Sequence, residues 1–92
     1  MVGCRSSGLL TNTAGEVVVS GQIKLISVHG ANDTAGALTA TIYDNTAASG
    51  KIVARLTVPA NGSMEFDMHG VLCKTGLTAV VPANLDITVE YI

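Results

Sequence analysis

Aromatic residues are scarce in this chain, which has no Trp, one Phe and two Tyr among its 92 residues. A hydrophobic core must therefore be built mainly from Val, Ile, Leu and Ala, whose side chains bury less area per residue than aromatic rings do. The length is that of one small domain, and small domains bury a low fraction of their surface on folding. We therefore expect a marginally stable module that gains stability from partners.

Charged residues are also sparse, at 13% of the chain instead of the usual ~25%. The five Lys and Arg residues are scattered along the sequence and the formal net charge is −2, so no basic stripe is predicted. We expect no nucleic-acid partner. A surface with few ions buries easily against a neighbouring protein, because interface cores are depleted in charge. We interpret it as an assembly surface, and a monomer covered by Thr and Ser hydroxyls is the alternative.

Long apolar runs are missing as well. The N-terminal MVGCRSSGLL lacks the apolar stretch of a secretory signal, and no segment approaches the ~18 apolar residues of a membrane-spanning helix. We expect synthesis in the cytoplasm and no membrane partner. The two cysteines, Cys4 and Cys73, show no CxxC spacing, which favours free thiols over a zinc site or a disulfide scaffold.

What the chain does contain is alternation of apolar and polar residues with period two, interrupted by turn residues at intervals of about eight to twelve positions. KIVARLTV, ALTATIY and LDITVEYI show it most clearly. In KIVARLTV the alternation places Ile52, Ala54, Leu56 and Val58 on one face, with Val53 as an apolar exception. The pattern predicts an all-β fold, a single small antiparallel β-sandwich of jelly-roll-like or Greek-key type with about seven or eight strands.

Two segments carry further structural predictions. QIKLISVH has apolar residues on both faces, which predicts a strand covered on both sides, one of them by another subunit. Asn61-Gly62 favours a tight turn that joins KIVARLTV to SMEFDM as a hairpin. We place the sandwich domain at residues 15–92, and we expect residues 1–14 to form an N-terminal arm that is flexible or held by a partner.

Candidate functional residues cluster in SMEFDMH, where Glu65, Asp67 and His69 stand at every second position. The alternating Met64, Phe66 and Met68 are expected to face the core together with Ile42, Leu56, Leu77, Ile87 and Val89. The acids then lie on the outer face as a consequence of strand alternation, and Asp67 and His69 are expected to form a modest surface pair. This Asp/His pair has no obvious nucleophile beside it.

Metal ligation is the other chemistry that these residue types suggest. His29, His69, Asp67 and Cys73 have no ligand spacing, and a metal site needs three or four convergent ligands. Asp33 and Asp44 lie in turn regions where carboxylates can bind Ca²⁺, but we expect them to be solvated turn residues. We predict no catalytic, cofactor-binding or metal-binding residues, no cofactor and no enzymatic activity.

Residues 20–92 contain, in order, an apolar strand, a D-N turn, the VPANGS segment, a corner of the form F-D-x-x-G-(hydrophobic)-x-x-x-x-G-L and a terminal VEY. The corner and the terminus are formed by Phe66, Asp67, Gly70, Val71, Gly76, Leu77, Val89, Glu90 and Tyr91. In this order of features the chain resembles a group of small virion proteins of tailed bacteriophages.

The resemblance implies a structural virion protein, namely a capsid decoration or cement protein that binds and stabilises the assembled phage head. It implies the major capsid protein as a partner and location on the capsid surface of the virion. The neutral surface and the apolar strand QIKLISVH predict association with other copies of the chain, with a homotrimer expected. Members of the group include tail and fibre components, which is one alternative. A carbohydrate-binding β-sandwich is another, with Tyr43 and Tyr91 as the available sugar-stacking rings.

Overall fold

Eight β-strands form the regular structure of this protein. The structure is a computed structural model and describes residues 5–11 and 13–92, among which there is no helix. In chain order the strands are β1 (Arg5–Leu10), β2 (Glu16–Ser20), β3 (Ile23–Asn32), β4 (Leu38–Asp44), β5 (Lys51–Val58), β6 (Gly62–Cys73), β7 (Gly76–Val80) and β8 (Leu85–Tyr91).

The strands form two four-stranded antiparallel sheets. Sheet A has the order β1-β8-β3-β6, and sheet B has the order β2-β7-β4-β5. The chain passes from one sheet to the other at every connection except the β4–β5 hairpin. This is the order of an eight-stranded jelly roll, in which two Greek keys wrap around one core. The predicted antiparallel β-sandwich is confirmed.

The hydrophobic core lies between the inner faces of the two sheets. Asn32 is a buried polar side chain, and its Nδ2 donates hydrogen bonds to the carbonyl oxygens of Gly36 and Val58 at 2.9 and 3.2 Å. Phe66, which was expected inside the core, is half-buried on β6 and packs against the core from the sheet edge. Of the other side chains expected to face the core, Ile42, Leu56, Leu77, Ile87 and Val89 are buried. Met68 is partly buried against the core, and the prediction for Met64 is wrong because this side chain is 42% exposed on the edge strand β6.

Two β-bulges explain where the alternation pattern fails. Ile42 pairs with Ala54 and Tyr43 pairs with Ile52, so Val53 is an extra residue on β5. The bulge reverses the faces, because side chains alternate along a strand. Ile52, predicted to face inward, is therefore 38% exposed, and Val53 packs against the core instead.

The second bulge lies in β3. Leu25 pairs with Tyr91 and Ser27 pairs with Glu90, so Ile26 is the extra residue. Leu25 and Val28 are consequently both buried, and of the apolar side chains in QIKLISVH only Ile26, half-buried, lies on the outer face. The apolar run thus reflects a change of face within the strand and places only Ile26 on the outer face, whereas cover of that face by another subunit stays a prediction.

All four edge strands contain extra residues relative to their neighbours. The register shifts fall between Ser6 and Leu9 on β1, between Val17 and Val19 on β2, at Val53 on β5 and within residues 68–70 on β6. A bulge on an edge strand twists it and breaks the row of free backbone groups, which limits pairing with another chain.

The predicted hairpin between KIVARLTV and SMEFDM is wrong. β5 pairs with β4 in sheet B, and β6 pairs with β3 in sheet A. The Pro59–Asn61 connection carries the chain from one sheet to the other. Asn61 has a positive φ of 52° but Gly62 does not, whereas the tight hairpin turn that Asn-Gly favours needs positive φ at both residues.

The N-terminal segment overlaps the fold in part. Residues 5–10 form β1, which pairs with β8 at the edge of sheet A, and the Leu10 side chain is buried in the core. The sandwich therefore includes residues that we assigned to an arm. Residues 1–4, with Cys4, lie outside the described residues, and for them the arm and the free thiol stay predictions.

Cys73, at the end of β6, is a free cysteine buried in the core. Burial raises the pKa of its thiol, and the nearby Asp44 carboxylate raises it further. A protonated, buried thiol is a poor nucleophile. In the described part of the chain, no helix has the length and hydropathy needed to cross a membrane.

Candidate functional site

Four polar side chains from three strands meet on the outer face of sheet A, and we name them the Ser27 cluster: Ser27, His29, Glu65 and Glu90. Ser27 Oγ donates a hydrogen bond to Glu90 Oε1 at 2.5 Å, and His29 Nε2 lies 2.9 Å from the same oxygen. Glu65 Oε2 is 3.7 Å from His29 Nε2. The β3 bulge produces this arrangement, because it places Ser27 opposite Glu90 on the outer face.

The Ser27 cluster has the residue types of a catalytic triad but a different geometry. In a triad one imidazole nitrogen faces the serine and the other faces the acid. Here the same nitrogen, His29 Nε2, faces Ser27 Oγ at 3.4 Å and both carboxylates. The Ser27 hydroxyl donates its hydrogen bond to Glu90 and not to the imidazole. The hydrogen bond from Ser27, followed by that from His29, lowers the pKa of Glu90. The cluster therefore holds Glu90 ionised and joins β3, β6 and β8.

Glu65, Asp67 and His69 do not form one site. Glu65 belongs to the Ser27 cluster, whereas Asp67 and His69 lie at the β6 bulge, where His69 has a positive φ of 54°. Asp67 Oδ1 accepts a hydrogen bond from the His69 backbone N–H at 2.9 Å and lies 3.5 Å from His69 Nδ1. Both side chains are largely exposed, at 67% and 84%, so the expected Asp67–His69 surface pair is confirmed.

The carboxylates of the two turn regions lie apart. Asp44 is at the end of β4, where its carboxylate accepts hydrogen bonds from the backbone N–H groups of Lys74, Thr75 and Gly76. The bond from Thr75 is the main cause that lowers the pKa of Asp44. Asp33 follows β3 at the opposite end of the sandwich. Among the described residues, no group of three or more His, Cys, Asp or Glu side chains is placed to hold a metal ion.

Exposed apolar side chains concentrate on sheet A. Seven large apolar side chains are exposed in the described part of the chain, and sheet A carries or borders five of them. Leu72 on β6 and Ile92 after β8 flank Lys24 on β3, with which Ile92 exchanges two backbone hydrogen bonds. These three residues, with Gln22 and Ile23, line a shallow groove of about 320 Å³. The five exposed apolar side chains on or beside sheet A are Leu9, Met64, Val71, Leu72 and Ile92.

The cations, scattered in sequence, gather at one end of the sandwich in space. We name Arg5, Lys24, Lys51 and Lys74 the basic end, and all four side chains are exposed. The fifth cation, Arg55, lies midway along β5, opposite Thr41. The contacts that define the basic end are the pairs Lys24–Leu72, Arg5–Tyr91 and Lys51–Asp44, and the hydrogen bond from Lys74 N to Asp44.

The opposite end of the sandwich is acidic. Asp33 and Asp86, which we name the acidic end, are exposed and line an open concavity of about 400 Å³ together with Asn61 and Ser63. The buried Asn32 side chain holds the loop that follows β3 at this end, because its Oδ1 accepts hydrogen bonds from the Thr34 backbone N–H and hydroxyl. None of the five Lys and Arg residues lies at this end.

Sequence reasoning missed Ser27, Glu90 and the segregation of charge. Ser27 looked like one polar residue within an apolar run, and only the bulge brings it opposite Glu90. The charges separate because antiparallel pairing brings distant positions to the same end of the sheets. Comparisons with protein-family models, curated proteins and solved structures find no match to this chain.

Proposed function

We propose that this protein is a structural virion protein of a tailed bacteriophage, a decoration subunit that binds the assembled capsid shell and stabilises it. The observation that carries the proposal is the concentration of exposed apolar side chains on sheet A, in a chain with 13% charged residues. Interface cores are depleted in charge, and the two carboxylates of the Ser27 cluster on this face, Glu65 and Glu90, already contact His29 within the chain. The sequence resemblance supplies the identity of the partner, the major capsid protein.

In this proposal sheet A faces the shell. The outer face offers apolar contacts at Leu9, Leu72 and Ile92, and the Ser27 cluster offers polar ones between them. Three copies associate as a trimer on the capsid surface and bridge adjacent shell subunits. Binding only the assembled shell stabilises it by mass action, and bridging several subunits adds multivalency. This action requires no chemical step.

The proposal is tested on purified particles. Particles that lack the protein and particles saturated with it are heated or osmotically shocked, and release of packaged DNA is measured. Coated particles are expected to survive a harsher treatment. Equal survival of bare and coated particles would contradict the decoration role.

A matched pair of variants identifies the docking face. Leu72→Ser removes a side chain that is 41% exposed on sheet A, and Ile52→Ser removes one that is 38% exposed on sheet B. Leu72→Ser is expected to weaken binding to particles about three- to eightfold, since burying the exposed 41% of this leucine is worth about 0.6–1.2 kcal/mol of the roughly 1.5–3 kcal/mol for a whole side chain. Ile52→Ser is expected to bind as the wild type does. Equal loss in both variants would mean that sheet A is not the docking face.

The carbohydrate-binding alternative rests on the concavity at the acidic end. Tyr91, one of the two tyrosines expected to stack on a sugar, is only 9% exposed and lies in the core. Sugar recognition would then depend on hydrogen bonds from Asp33, Asn61, Ser63 and Asp86. Binding to a glycan array that is lost in Asp86→Ala would favour this function over the decoration role.

A further inference from the structure

The separation of charge into a basic end and an acidic end suggests how copies of the chain meet. We infer that they associate head to tail, with the basic end of one copy against the acidic end of the next. This inference rests on the self-association in the proposed function and is independent of the virion role.

Symmetry connects the charge distribution to the mode of association. A two-fold dimer that meets end on brings the same end of two copies together, so two basic ends or two acidic ends would repel each other there. A cyclic trimer joins two different patches, each complementary to the other. Arg5, Lys24, Lys51 and Lys74 provide one such patch, and Asp33 and Asp86 provide the other.

The charges at the two ends form no ion pair within the described part of the chain, although Lys51 lies near the Asp44 carboxylate. Among the described residues, none of the Lys and Arg side chains forms an ion pair, because every ion pair involves His29 or His69. Asp33 and Asp86 likewise have no side-chain hydrogen-bond partner in that part of the chain. These groups therefore remain available to a second copy.

Shape and orientation also agree. The concavity of about 400 Å³ at the acidic end is large enough for a lysine side chain, and two of its lining residues are carboxylates. The two ends lie at opposite ends of the strands, so a head-to-tail contact leaves the middle of the outer face of sheet A, with the Ser27 cluster, free. Copies joined in this way close into a ring of three only where each is rotated by about 120° relative to the one before it, and they otherwise form an open chain.

The first experiment compares two charge reversals that change the net charge equally. Lys24→Glu reverses a cation at the basic end, and Arg55→Glu reverses the cation in the middle of β5. Self-association is measured by sedimentation velocity at about 0.05 M salt, with circular dichroism to verify folding. Lys24→Glu is expected to weaken association at least about tenfold, since like charges at an interface repel strongly, whereas Arg55→Glu changes it less than about twofold. Equal effects in the two variants would overturn the inference.

The second experiment mixes complementary variants. Asp86→Lys alone is expected to associate as poorly as Lys24→Glu. An equimolar mixture of the two places opposite charges together at each junction, so association returns. Alternating copies cannot close a ring of three, and the mixture is therefore expected to give complexes with an even number of subunits. Failure of the mixture to associate would overturn the head-to-tail contact.

Salt provides a check on the wild-type protein. The Debye screening length falls from roughly 10 Å at 0.1 M salt to about 3 Å at 1 M, so association is expected to weaken steeply over that range. A wild-type trimer that is insensitive to salt and to Lys24→Glu would overturn this inference and leave the decoration role standing. A wild-type protein that stays monomeric at every salt concentration would overturn both the inference and the proposed trimer.

Discussion

Gly30 on β3 packs against Val58 of sheet B, and adding one methyl group there tests the packing directly. A Cβ at this position would lie 2.6 Å from Val58 Cγ2 of sheet B and 3.2 Å from Ile87 Cδ1. The first distance is well below van der Waals contact, and both neighbours are fully buried. Gly30→Ala must therefore move β3 or displace Val58.

The expected loss of stability is about 1–2 kcal/mol. Overpacking a filled core costs roughly 1–3 kcal/mol, and the lower chain entropy of alanine in the unfolded state offsets about 0.4–1 kcal/mol. Stability is measured by denaturant unfolding followed by far-UV circular dichroism, at one fixed protein concentration because association shifts the equilibrium.

Two further variants control the experiment. A Cβ added at Gly36 would meet no atom within 4 Å, and the φ of this residue is not positive, so Gly36→Ala is expected to be neutral or slightly stabilising. Val58→Ala leaves a cavity but frees the space that Gly30→Ala needs. The loss in free energy of unfolding in the double variant is therefore expected to be about 1 kcal/mol smaller than the sum of the losses in the two single variants. Equal stability of Gly30→Ala and Gly36→Ala, or strict additivity with Val58→Ala, would refute the close approach.

Three other predictions concern stability. Asp44→Ala is expected to cost about 1–2 kcal/mol at neutral pH because three backbone donors lose their acceptor. Folding lowers the pKa of Asp44, so its contribution to the free energy of unfolding is present above the ordinary carboxyl pKa and is lost as pH falls through the pKa of the folded state. A stability difference between Asp44→Ala and the wild type that does not change with pH would contradict this. Replacing Glu65, Asp67 and His69 together by Ala is expected to change stability by less than about 1 kcal/mol, and a larger loss on thermal unfolding would show that they do more than form exposed pairs. Phe66→Ala is expected to cost about 2 kcal/mol, less than for a fully buried Phe, and a loss below about 0.5 kcal/mol in denaturant would mean that its ring does not pack on the core.

The alternation pattern was sufficient to predict the sandwich, because most inward positions of β4 and β8 follow period two without interruption. It failed at Val53 and Ile26, where one extra residue reverses the faces. A bulge depends on how a neighbouring strand pairs, so the segment containing it carries little local signal. The order of the strands could not be predicted for the same reason.

The candidate site shows the same limit. Glu65, Asp67 and His69 attracted attention because they are close in sequence, whereas the cluster that forms joins Ser27 and His29 to Glu90, over sixty residues away. Their proximity depends on the β3–β8 pairing. The two charged ends likewise depend on pairing, and a count of scattered Lys and Arg residues carries no information about them.

The buried thiol of Cys73 provides a natural probe for transient opening of the hydrophobic core. Without Trp, the chain lacks the usual fluorescent probe of unfolding. An alkylating reagent reaches Cys73 only after β6 separates from β3, because the side chain is 0% exposed in the folded state. In a Cys4→Ser background, the rate of labelling followed by mass spectrometry would then measure how often the core opens, in solution or on an assembled particle. A partner that protects the thiol at the basic end would be detected by slower labelling, without any added dye or tag.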